Sequence, residues 1–358
     1  MNRKALLFPC AALLWAGVAN AGTPPNAWDI ARDPDARERW SLHVRVERML
    51  SPTRSDDVAV ADPRLDAELR LEAARAMLEK GDAAHSPDVR LRFDLGIVYY
   101  ELGDRQGGNL DLFQKAVDIL APAVDAAPDE PSATQAFGVL VLAYAKMNRP
   151  RDELATWLRY IPLIADDRAR VGSMMNMGEA EMRLGHVDDA LATFREVLRL
   201  CGELPNSGSI GSTYVLSLWD VAIALDRSGD PGEALDTAAK ASRMKVLDSR
   251  GNLSTGAALI AHDPSVFFVP AWELEWYLAL GASAEARDAK DIRDTAEHWA
   301  LAAQHWDTYV ERSSAEGGRD LFLKIARVRQ AHAHARKVTA EKAAAKLPKR
   351  PHHPGAER

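Results

Sequence analysis

A chain of 358 residues that is 47% apolar and 27% charged can bury a sizeable core, and 52 Asp and Glu against 45 Lys and Arg leave a formal charge of −7. That acidic balance argues against a nucleic-acid-binding core, because phosphate binding needs a basic face. Cys10 and Cys201 are the only cysteines, too few for a disulfide framework.

Arg3 and Lys4 precede an apolar run over residues 5–18, and Ala19-Asn20-Ala21 places small residues where a signal peptidase reads. The run is too short to span a bilayer, and no later segment reaches the eighteen or so uninterrupted apolar residues that a span needs. Residues 1–21 are therefore expected to be a signal peptide cleaved near Ala21. Cys10 leaves with it, and the mature chain, periplasmic or secreted, carries Cys201 alone. A lipid-attached alternative at Cys10 suffers from the bulk of Phe8 and Pro9.

Residues 22–86 form an N-terminal helical region, with helical runs at 36–50 and 65–80 around the turn-rich SPTRSDDVAVADP. Beyond it the chain repeats itself. LGIVYYELGD at 95–104 places Leu95, Gly96, Tyr99 and Gly103 at the same offsets as Met177, Gly178, Glu181 and Gly185. The second helix of that first unit, around Phe113 and Ala116, is displaced by RQGGNLDL. Phe137, Leu140, Tyr144 and Trp157 fit a degenerate unit that turns at NRPRDE.

The clearest unit is MMNMGEAEMRLGHVDDALATFREVL at 174–198, in which Gly185 marks the turn and Ala190, Phe194 and Val197 mark the second helix. Another follows through Leu218, Val221, Ala222, Leu225, Gly229, Ala234, Ala238 and Ala241. Gly185 and Gly229 stand 44 residues apart, against about 34 in a regular array. The excess lies in the loop ELPNSGSIGS. After the turn-rich linker DSRGNLSTG, Tyr277, Leu280 and Gly281 again take first-helix offsets, and Ala296, Trp299, Ala303 and Trp306 give a helical stripe.

These units resemble tetratricopeptide repeats (TPR), well over residues 90–242 and weakly to Tyr309. The resemblance implies an all-α, right-handed superhelical array of antiparallel helical hairpins, with repeats at 87–247 and divergent helical repeats at 248–336. It also implies a non-catalytic scaffold whose first helices line a concave groove for a protein or peptide partner. The family's groove positions fall on Arg90, Phe93, Ile97, Tyr100, Lys146, Met175, Glu179, Arg183, Trp219, Ile223, Asp226 and Arg227. Phe93 and Ile97 stand where members that clamp two carboxylates carry Lys and Asn, so that specificity is not implied.

An alternative is a glycan- or cell-wall-binding module using Trp272, Trp276, Trp299 and Trp306 as a stacking surface, with a core role for these rings as the plainer reading. A second alternative is a helical-superhelix enzyme acting on the cell wall, although no segment resembles a catalytic domain of that kind. His298 and His305 lie seven residues apart, and His332, His334, His352 and His353 crowd the end, without the rigid ligand set that a metal needs. No cofactor, metal or nucleic acid is expected. From Lys324 onward ten Lys or Arg face two Glu, and residues 337–358 read as a basic disordered tail that can touch an anionic envelope surface.

Overall fold

A computed structural model describes residues 30, 32–50, 63–205, 207–315 and 320–348. The expected signal peptide with Cys10, and His352 and His353, lie outside them. The chain divides into two compact units, one ending at Leu184 and the other starting at Gly185. Fourteen α-helices and one two-stranded ribbon are present among the described residues, which makes the fold all-α.

The first unit comprises α1 (Pro34–Leu50), α2 (Pro63–Lys80), α3 (Val89–Arg105), α4 (Leu110–Ala126), α5 (Ala133–Lys146), α6 (Pro150–Tyr160) and α7 (Asp167–Arg183). Local chemistry sets the starts. Asp88, Asn109 and Asp166 accept backbone N–H groups at the heads of α3, α4 and α7, and Pro150 opens α6. A Cβ on Gly96 would lie 2.4 Å from Leu120 Cγ, so only glycine lets α3 and α4 close this tightly.

Phe113, Ala116, Phe137, Leu140, Tyr144 and Trp157 are all buried in one apolar core, as the repeat register requires. The two N-terminal helices, which fit no repeat, add Leu42, Val46, Leu71, Ala74 and Leu78 to it. Their apolar sides cap α3, whose other side meets α4. The edge of the array is thereby kept from water.

The second unit holds α8 (Val187–Glu203), α9 (Gly208–Ser228), α10 (Pro231–Arg243), β1 (Lys245–Leu247), β2 (Leu253–Thr255), α11 (Gly256–His262), α12 (Leu274–Asp288), α13 (Ile292–Ala315) and α14 (Leu323–Ala344). Ala190, Phe194 and Val197 of α8 are buried, as are Leu218, Val221, Ala222, Leu225, Ala234, Ala238 and Ala241 of the following hairpin. Gly229 ends α9 at φ 101°, a left-handed cap that suits glycine, and Asp230 then caps α10.

Two expectations change. The stretch read as a linker is an antiparallel ribbon pairing Lys245 with Thr255 and Leu247 with Leu253, anchored by buried Val246 and turned where Asp248 accepts from the Arg250 and Asn252 amides. The basic end stays helical to Ala344 with Ala340 buried, so the disordered tail does not begin at 337. In addition, α9 is long and apolar enough to cross a membrane by length and composition. Most of it is packed inside the second unit, and Asp220, Asp226 and Arg227 lie within it.

Candidate interaction surface

In the first unit the structure buries four of the eight positions that the repeat register assigns to a groove, all of them on α3. Phe93, Ile97 and Tyr100 belong to the core, and Tyr100 lies 5.5 Å from the Phe113 ring. The cause is α1. Its Trp40 ring lies 4.7 Å from the Arg90 guanidinium, and His43 Nδ1 is 2.7 Å from Asp94 Oδ2. Asp94 shares a face of α3 with Arg90 and Ile97, so α1 covers the part of the groove that the first repeat would offer.

Burial drives the Asp94 carboxyl up to about 6. Burial is the largest single influence on His43 and opposes its charge, but the Asp94 hydrogen bond together with the negative charges of Asp94 and Glu47 outweighs it and raises the imidazole above its ordinary value. At 2.7 Å the two groups are coupled, so their protons are expected to come off as those of a pair rather than independently. Arg90 is further held by Asp88 at 2.6 and 2.8 Å.

What remains accessible lies further along the first helices. Lys146 on α5 reaches Asp104 on α3 at 3.0 Å, which fixes the two side by side. Glu101, Asp104, Gln135, Leu142 and Lys146 are half-exposed on α3 and α5. The register missed Glu101, Asp104, Gln135 and Leu142. The steps of seven and four from Gln135 to Leu142 and Lys146 were the available signal, since they place three residues on one helix face.

On α7, Met175 and Glu179 are half-exposed, while Arg183 is ion-paired with Glu153 of α6. Glu153 is itself buried and also accepts from Trp157 Nε1 at 3.4 Å. Burial raises its carboxyl, and the Arg183 charge opposes that rise. Arg183 is therefore a positioning cation between helices.

In the second unit the assigned groove residues are interior. Trp219 is 2% exposed, donates Nε1–H to the Gly256 carbonyl at 3.1 Å and packs on Gly281. Ile223 is buried beside it in the chain. Asp226 is fully buried, accepting from Trp276 Nε1 at 2.9 Å and from Arg329 Nε at 2.7 Å. Arg227 pairs with Glu273 and lies 4.4 Å from the Trp276 ring and 4.2 Å from the Phe322 ring. These residues lock α9, α12 and α14 together, and none of them is displayed to a partner.

The four tryptophans proposed as a stacking surface are buried as well. Trp276 meets the Trp306 and Tyr309 rings edge-on at 5.0 Å, and Trp272 meets Tyr309 the same way. With Trp299 also inside, the cluster is the thick core of the α12–α13 pair, which removes the surface that sugar rings would stack on. His298 and His305 face Glu285 and Glu275, and His334 faces Asp307 at 2.8 Å. Cys201 is buried, and burial pushes its thiol up to about 11.

No protein-family model matches the sequence, and no curated protein matches it. Among solved structures, a kinesin light chain-related array of nearly identical TPR-like repeats from Podosopora anserina is 18% identical, with 58% of this chain and 94% of that one covered at a TM-score of 0.41. A STAND protein with a TPR sensor from Pyrococcus horikoshii is 13% identical, covering 89% of this chain and 46% of that one at 0.47. A Rap protein complexed with competence and sporulation factor is 13% identical, covering 94% and 98% at 0.40. The first two of these are named for TPR or TPR-like repeats.

Proposed function

We propose that the chain is an exported, non-catalytic scaffold of the cell envelope that holds a protein or peptide partner along α3 and α5 of its first unit. The observation that carries this is the half-exposed row of Glu101, Asp104, Gln135, Leu142 and Lys146. It mixes acid, amide, apolar and basic groups on two helices pinned by the Lys146–Asp104 pair. Such a row offers directional hydrogen bonds and an apolar contact to an extended segment or a partner helix, without asking the array to move.

Recognition is expected to be selective rather than strong, because Lys146 and Asp104 are partly solvated and already paired with each other. The test is recovery of partners from cell envelope by the mature protein, with the wall polymer intact or digested. A defined protein should survive digestion, and Gln135→Arg with Lys146→Glu should reduce its recovery about tenfold or more. Loss of all capture on digestion would overturn the reading in favour of wall polymer. Unchanged capture by the double variant would move the site off α3 and α5.

A further inference from the structure

The last helix has a buried seam and an open face that does not resemble an ordinary solvated surface. Ala326, Ala333 and Ala340, seven residues apart, are buried. Their spacing turns another row outward. Lys324, Val328, Ala331, Ala335, Val338 and Lys342 follow at steps of four and three, so they form one stripe along α14. All six are exposed, Val328 by 59% and Val338 by 47%. The stripe is about 27 Å long at 1.5 Å per residue.

The stripe is apolar in its middle and cationic at both ends, with Arg327 beside Val328 and Lys346 one turn beyond Lys342. Of the other basic groups on α14, Arg329 is paired with buried Asp226, and Arg336 donates to His332 at the surface. Among the described residues no carboxylate pairs with Lys324, Arg327, Lys342 or Lys346. Glu341 is the one acid on α14, and it lies off the stripe.

A second copy of this face is a poor occupant. Antiparallel pairing would set Lys324 against Lys342 at both ends, and parallel pairing would set each lysine against itself. An extended plane of negative charge with an apolar layer beneath it matches the pattern better. Lysine stems can lie along the apolar boundary while their ammonium groups meet phosphates.

We propose that the outward face of α14 is a docking surface for an anionic lipid bilayer, with the helix lying in the plane of the headgroups. Val328, Ala331, Ala335 and Val338 enter the boundary, and Lys324, Arg327, Lys342 and Lys346 hold lipid phosphates. The site is separate from α3 and α5, so either reading can fail without the other.

The experiment is sedimentation of the full chain with vesicles of phosphatidylcholine alone or with about 30% phosphatidylglycerol. Binding is expected only to the anionic vesicles and should be lost at about 0.5 M salt, where the Debye length falls to a few ångströms. Lys324→Gln with Lys342→Gln should lower partitioning about 30-fold, at about fivefold per lysine. Val328→Asp with Val338→Asp should abolish binding, and the circular dichroism and melting temperature should be retained because both side chains are exposed. A chain ending at Pro348 should still bind. Three results overturn the proposal: no preference for anionic vesicles, binding that survives the valine variant, or binding that disappears in the shortened chain. If vesicles are ignored while the lysine variant loses a protein partner, the face belongs to an acidic protein instead.

Discussion

Two residues of α9 carry different kinds of cost. Trp219 is packed on Gly281 and hydrogen-bonded to Gly256, so Trp219→Ala should destabilise the chain by about 3–5 kcal/mol, measured by chemical denaturation, and is not a clean probe of binding. Its neighbour Asp220 accepts from the Tyr277 hydroxyl at 2.8 Å, and its other oxygen has no partner. Burial drives that carboxyl from its ordinary 3.8 up to about 7. Between these values the folded chain keeps a proton that the unfolded chain has released. Stability contributed by this group is therefore present below pH 4 and falls as pH rises through about 7. Asp220→Asn cannot ionise and still accepts from Tyr277, so the decline in melting temperature from pH 4 to 7.5 should shrink. Equal declines in the two proteins would show that the group does not titrate there.

At the scale of elements, the periodic stripes were legible because buried steps of three and four survive in any helical pair. Phe113, Ala190, Phe194, Ala238 and Trp306 all occupy the interior that the register gave them. The groove was not legible, since groove positions are defined by what a neighbouring element leaves uncovered. Nothing local to Trp40 or His43 says that they will settle on Arg90 and Asp94, and Asp226 meets Arg329 across 103 positions of sequence. The ribbon escaped notice because three-residue strands are too short to show alternation. The Asp226–Arg329 pair makes α14 structural. Arg329→Ala would leave a fully buried carboxylate without its cation, at a cost of about 3–5 kcal/mol in a denaturant titration. Deleting residues 337–358 should likewise lower the melting temperature, because Ala340 lies in the seam against α13. Deleting 349–358 alone should leave it unchanged. Equal melting of the two truncations would mean that the last turns of α14 contribute nothing.

For the molecule as a whole, export and thiol chemistry are linked. The charged start, the apolar run and Ala19-Asn20-Ala21 would remove Cys10 with the leader, and the remaining thiol is shielded twice. Cys201 is buried in α8, and a thiol held near 11 is almost wholly protonated at neutral pH, whereas the thiolate is the reactive form. An oxidising compartment would then find no pair to join, and core packing alone must hold both units. The mature protein recovered from outside the inner membrane should begin at or near Gly22 by mass spectrometry. In the folded state a thiol reagent such as dithionitrobenzoate should react with it slowly or not at all. In denaturant it should titrate one thiol per chain, and no free thiol should be lost on storage in air. A chain still starting at Met1, with two titratable thiols, would defeat the proposed export. A fast reaction in the folded state would instead place Cys201 at a surface open to intermolecular pairing.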